Sequence, residues 1–271
     1  MELTGNLIKL SSQLDTSVKY FMHLGQEEIL LNELIGHDIR IRYNHEINCI
    51  ACGKTTRTSF FQGYCYSCFS TLPQTDTCIM QPETCRAHEG ISRDMAWSEK
   101  HCLTNHIVYL ALTSATKVGV TRESQIPTRW IDQGAWKAIK LARTPNRHIA
   151  GLIEVALKSL FTDKTNWQKM LKDIRADNTD LLQEKDKAWE FFMKAGSDIS
   201  ELANYIIDED EIIEINYPVE KYPDKITSIN FEKSDIIESR LIGIRGQYLI
   251  FADNRVFNVR RHNGYKVSLQ Y

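Results

Sequence analysis

Apolar and polar positions change period several times along the chain. EEILLNELIG is followed by the alternating HDIRIRY, which predicts short β-strands over residues 1–48. Farther on, HIVYLAL and TKVGVTR are two β-rich runs separated by a short turn around Ser114, and they predict a hairpin. If Leu112 pairs with Thr116, Tyr109 faces Gly119 and Ala111 faces Lys117. Alternation then puts Tyr109, Lys117 and Thr121 on one face, around the space that Gly119 leaves. Val108, Leu110, Leu112, Val118 and Val120 fill the other face as a core wall. Pro127 suits the first turn of a helix that carries Arg129 and ends near Gly134. WKAIKLA returns as a third strand. Asn146 caps a longer helix, because Ile149, Leu152, Ile153, Ala156, Leu157 and Leu160 follow helical spacing. At 100° per residue Glu154 lies about 130° from the centre of that stripe, facing either a cleft or solvent. DLLQEKDKAWEFFMKA reads as another amphipathic helix. The C-terminal stretch from LIGIRG to KVSL reads as a β-meander broken at Arg245-Gly246, Asp253-Asn254 and Asn263-Gly264, the last a preferred type I′ hairpin turn.

Cysteine usage adds chemistry to this pattern. Six of the seven cysteines fall between Cys49 and Cys85, and Cys102 follows. CIACGKTTRTSFFQGYCYSC has the spacing C-x2-C-x12-C-x2-C. Two residues between cysteines let one tight turn aim both thiolates at one ion, and two such turns supply the four ligands of a closed tetrahedral zinc site. Cys49, Cys52, Cys65 and Cys68 are the expected ligands, with Gly53 and Gly63 at the bends. A redox C-x-x-C or inert buried thiols would not need the pair duplicated. CIMQPETCRAHEG brings Cys78, Cys85 and His88 together with Cys102 as a less regular candidate for a second zinc site. His101 competes with His88 for the nitrogen position, and the plain alternative is three buried thiols beside an exposed histidine.

Hydrophobic residues at 42% and charged residues at 25% describe a globular chain rather than a disordered one. No run of about 18 uncharged apolar residues appears and the N-terminus lacks a signal-like core, so a soluble, cytoplasmic protein without disulfides is expected. The net charge of −2 is uninformative, but its distribution is not. Residues 106–175 hold 12 Lys/Arg against 5 Asp/Glu, net +7, which leaves −9 for the remainder; 201–220 carries seven acidic residues and no basic one. A positive surface that meets nucleic-acid phosphates is one reading, and two differently solvated faces is the other.

A tyrosine in the first hairpin strand, a glycine in the second, a helical arginine and a later helical glutamate together resemble the GIY-YIG nuclease fold. The resemblance covers about 70 residues and matches Tyr109 and Gly119 to the two motifs. It implies that Arg129 is the arginine of the first helix, Glu154 the metal-binding glutamate and Asn166 an asparagine near the site. Ile107 stands where the first motif has glycine, and Lys117 replaces the second tyrosine, as in some relatives. The chain as a whole also resembles an uncharacterised bacterial family, a domain of unknown function, through the same cysteine module and the string IPTRWIDQGA. The expected fold is α+β: an N-terminal β segment at 1–48, a zinc-ribbon-like module at 49–104, a GIY-YIG-like three-stranded sheet with helices at 105–175, a helical and acidic connection at 176–220 and the β-meander at 221–271. The resemblance implies a nuclease that hydrolyses phosphodiesters in DNA or RNA with Mg²⁺ or Mn²⁺ on Glu154. A zinc-containing nucleic-acid-binding protein without cleavage, or a protein-interaction scaffold, are the alternatives.

Overall fold

The structure, a computed structural model, describes residues 1–271, the side chains of Ser197 and Asp198 excepted. It is a mixed α+β fold with three sheets, divided into two compact units. One unit comprises Met1–Thr71, Ile131–Gly134 and Ile215–Tyr271; the other comprises Leu72–Trp130 and Ala135–Glu214. The division falls inside the cysteine-rich stretch, so the two candidate metal clusters belong to different units. Among the described residues no helix is long and apolar enough to cross a membrane.

The first unit joins the two ends of the chain. Glu2–Asn6 pairs with Tyr265–Gln270, which pairs with Asp38–Ile47, and that strand pairs with Ile236–Arg245. The sheet continues through Tyr248–Phe251 and Arg255–Asn258 to the short parallel strand Thr227–Ile229, seven strands in all. Ser11–Gln13, Lys19–Leu24 and Glu27–Leu30 form a separate antiparallel sheet. The breaks at Gly246 and Asn254 are turns with positive φ, as the dipeptides there predict. Asn263-Gly264 is not a hairpin: the strand after it lies between Glu2–Asn6 and Asp38–Ile47, away from its sequence neighbour. Arg245, 1% exposed, lies over the rings of Tyr217 and Tyr222 and donates two hydrogen bonds to the Gly134 carbonyl. Gln247 and Lys9 hold Asp132 at 2.8 and 3.0 Å. The latter half of IPTRWIDQGA is therefore an anchor within this unit.

The second unit is built on a four-stranded antiparallel sheet in the order Thr116–Arg122, His106–Leu112, Lys137–Thr144, Ile212–Glu214. The hairpin has the register that the sequence suggests, with Tyr109 opposite Gly119, Ala111 opposite Lys117 and Leu112 opposite Thr116. The core wall forms from Val108, Leu110, Leu112 and Val118, against which Ala150, Ile153 and Leu157 of the helix Arg147–Leu157 pack. Leu181, Ala188 and Phe192 of the helix Leu181–Lys194 join the same core, so this segment is part of the unit rather than a connection. The fourth strand comes from the acidic stretch. Lys137 meets Glu214 at 2.7 Å, while Lys140 and Arg143 meet Glu209 at 2.9 and 3.1 Å. Much of the basic charge on the third strand is thus neutralised within the fold.

Candidate functional site

The four-cysteine cluster is made by two turns and a short helix. The Gly53 N–H donates to the Cys49 carbonyl at 2.8 Å, closing a knuckle in which Gly53 takes φ of 72°, a region that suits glycine. Ile50 donates to the Gly63 carbonyl at 2.9 Å, bringing the second cysteine pair alongside the first, and Cys68 lies on the helix Tyr66–Thr71. All four sulfurs lie within 4.8 Å of one another, and Cys52 and Cys65 are 3.9 Å apart. Tetrahedral thiolates with bonds of about 2.3 Å to a common ion stand about 3.8 Å apart, so the spacing suits a shared metal. Burial would raise the Cys49 thiol, but N–H groups of Cys65, Cys52 and Ala51 donate to it and hold it at about 6. Apolar support is thin: Phe60, Phe61, Tyr66 and Phe69 make a small ring cluster, and the helix Tyr66–Thr71 buries no residue.

The second cluster contains Cys78, Cys85 and Cys102, all buried, again with sulfurs within 4.8 Å of one another. Neither expected histidine belongs to it among the described residues. His88 stacks on His148 with ring centroids 4.5 Å apart, and its Nε2 lies 3.7 Å from Glu89. His101 stacks flat on Trp97 at 4.1 Å and its Nδ1 lies 2.8 Å from the Trp97 carbonyl. Sequence spacing brought these imidazoles close along the chain, but ring stacking turned both elsewhere. The cluster is braced by Arg147, which donates through its guanidinium to the carbonyls of Cys78 and His101 and through its backbone N–H to that of Cys102. Nothing in the cysteine spacing pointed to that arginine.

Tyr109, Gly119 and Lys117 share the other sheet face. Tyr109 is fully buried, and its ring occupies the space above Gly119: a Cβ there would stand 2.6 Å from the phenol oxygen. The gap that Gly119 was expected to leave is filled by Tyr109 itself. Trp130 packs edge-on against the same ring at 6.0 Å. Lys117 is 3% exposed, and its ammonium lies 3.4 Å from the Thr165 hydroxyl. Burial, together with the adjacent positive charge of Arg129, pulls Lys117 down to about 8, while Glu154 and Asp163 oppose that shift. Burial also raises the Glu154 carboxyl, opposed by Lys158 and Lys117 and reinforced by Asp163 and Glu83. Lys117, Arg129 and Glu154 therefore share one electrostatic neighbourhood.

Glu154 reaches it because the helix packs differently from its expected stripe. Leu152 and Leu160 are exposed, whereas Ala150, Ile153 and Leu157 are buried. Measured from that direction, at 100° per residue, Glu154 is only about 65° away. Its other flank is Gly151, where a Cβ would stand 2.1 Å from the backbone nitrogen of Glu83. The cysteine segment covers this side of the helix, which periodicity could not reveal. Asn166 is a helix cap: its Oδ1 accepts from the Lys169 N–H at 3.0 Å. Asp163, Lys158 and Glu83 were missed: Glu83 sits within the second cysteine motif, whose spacing speaks only for the thiols, and the other two belong to no motif.

Fold and clusters together define an α+β protein with two thiol groupings that can each hold a metal ion. The chain belongs to the family described as "protein of unknown function (DUF2797)", which it matches over residues 36–267. No curated protein matches the chain. No solved structure matches it.

Proposed function

We propose that this protein is a metal-dependent nuclease with a GIY-YIG-like core, hydrolysing phosphodiesters in DNA or RNA, and that the four-cysteine cluster is a structural zinc site. The observation that carries the reading is the shared neighbourhood of Lys117, Arg129 and Glu154 beside the Tyr109–Gly119 pair. Glu154 suits a divalent cation, because burial penalises its charge and a bound cation would stabilise it. Mg²⁺ or Mn²⁺ there would supply Lewis-acid stabilisation of the scissile phosphate and of the leaving oxygen. Arg129 stabilises charge on the phosphoryl oxygens. Lys117, about half neutral near pH 8, accepts the proton of the attacking water as the new P–O bond forms and the old one breaks; the leaving oxygen takes a proton from solvent. Tyr109, buried under Trp130, positions the strand. With Lys137, Lys140 and Arg143 paired internally, the phosphate contacts are assigned to Arg129 and to the lysines Lys164, Lys169 and Lys172.

Glu154→Ala should abolish Mg²⁺- or Mn²⁺-stimulated cleavage of structured RNA and branched DNA while leaving circular dichroism and zinc content unchanged. Arg129→Ala should slow turnover about a hundredfold. Cleavage that persists in Glu154→Ala overturns the catalytic reading. A second reading, nucleic-acid binding without cleavage, is favoured by the complete burial of Tyr109 and the use of Asn166 as a cap. It predicts salt-sensitive binding with no turnover in the wild type.

A further inference from the structure

Beside the three-cysteine cluster lies a cavity of about 320 Å³ that the nuclease reading does not use. Cys78, Cys85 and Cys102 all contribute to its wall, together with Arg86, Arg93, Asp76 and Trp97; neither His88 nor His101 does. A tetrahedral ion on three thiolates lacks one ligand, and a three-ligand set with an open position is the arrangement of metal sites that bind exchangeable groups. From this geometry we infer that Cys78, Cys85 and Cys102 hold one divalent transition-metal ion whose fourth position faces the cavity and takes a small anionic donor from solution. The acidic side chain in the wall, Asp76, is engaged by Arg93 at 3.2 Å. Arg93 also donates to the Leu72 carbonyl at 2.9 Å, which fixes its guanidinium at the wall. Arg86 pairs with Glu89 at 2.7 Å as Arg93 pairs with Asp76, so the positive charge that favours an anion over a cation comes from Arg147, which meets only backbone carbonyls of the cluster segment among the described residues.

The backbone that carries the cysteines is braced by the fold. Cys102 follows the helix Met95–His101 and donates its N–H to the Ser98 carbonyl at 2.7 Å. Cys85 donates to the Pro82 carbonyl at 3.1 Å, and Pro82–Glu83 is seated on Gly151. Such bracing keeps the ligands in place while the fourth position exchanges.

The test uses the full chain loaded with Co²⁺, whose visible d–d bands report its ligands. Azide is the probe. Two Co²⁺ per chain should bind to thiolates, recognised by their intense tetrahedral d–d and sulfur charge-transfer bands, and azide should shift the bands of one of them. Cys102→Ser should bind one fewer Co²⁺, and the bands that remain should ignore azide, because four thiolates close the other site. Arg93→Ala keeps all three thiols and should weaken azide binding about tenfold, the equivalent of about 1.4 kcal/mol. This variant preserves the test if Cys102→Ser fails to fold. Failure of Co²⁺ to occupy the three-cysteine cluster overturns the inference. So do bands that ignore azide in the wild type and respond only in His88→Ala, since His88 would then be the fourth ligand. Neither result bears on Glu154, so the nuclease reading stands or falls separately.

Discussion

At the scale of single residues, the molecule keeps a cation where burial opposes it. Lys117 is 3% exposed, and its hydrogen bond to Thr165 is long at 3.4 Å. Its folded pKa of about 8 lies below the ordinary 10.5. The folded state therefore releases the proton first, and between about pH 8 and 10.5 the unfolded chain binds more protons. Stability should rise with pH across that window, and the full cost of the buried charge is present below pH 8. The shift corresponds to about 3 kcal/mol. Lys117→Met should raise the urea midpoint at pH 7 and flatten its rise between pH 8 and 10.5, while abolishing any cleavage. A variant less stable than wild type at pH 7, with the same pH slope, would contradict the assignment.

Among secondary-structure elements, the close approach of the helix Arg147–Leu157 to Pro82–Glu83 links the core to the three-cysteine cluster. The contact is backbone against backbone, and Gly151 permits it: an added Cβ would stand 2.1 Å from the Glu83 nitrogen and 2.5 Å from the Pro82 carbonyl carbon. Neither atom can rotate away as a side chain could. Gly151→Ala should thus destabilise the second unit by about 1–3 kcal/mol, in the range of overpacked cores. Cys85 is two residues beyond Glu83, so metal content should fall toward one ion per chain. Elemental analysis and urea unfolding check both effects. Wild-type stability with an unchanged metal count would show that the helix and the cysteine segment part easily. The four-cysteine module should respond differently. Its helix Tyr66–Thr71 buries nothing, so chelation should unfold it without the help of any mutation.

Over the whole molecule, what the sequence made legible was local. The hairpin register follows from alternation across a short turn, and Asn146 caps its helix by accepting from the Ile149 N–H. The C-x2-C pairs likewise fold through adjacent residues. What stayed hidden depends on partners far away in sequence: Glu2 beside Gln270, Asp38 beside Arg240, and the acidic strand Ile212–Glu214 beside Lys137. The same remoteness exposed Leu152, turned Glu154 inward and steered His88 away from the thiols. Distant partners also create a pH response that no motif announces. His106 in one unit and His262 in the other are each 1% exposed, and burial lowers both from 6.5 to about 4. Unfolding lets each bind a proton between about pH 6.5 and 4, so their contribution is fully present above 6.5 and lost as the pH falls to 4. Each accounts for up to about 3 kcal/mol. His262 stacks on Phe257 at 4.5 Å, and phenylalanine can keep that stack. In His262→Phe the urea midpoint, followed by circular dichroism, should lose less between pH 6.5 and 4 than in the wild type, even if its value at pH 7 is lower because Asn258 and Phe231 lose a partner. Any acid response of the cysteine clusters is common to both proteins, so the difference between the two slopes isolates the imidazole. Identical slopes would mean that His262 already carries its proton in the folded state.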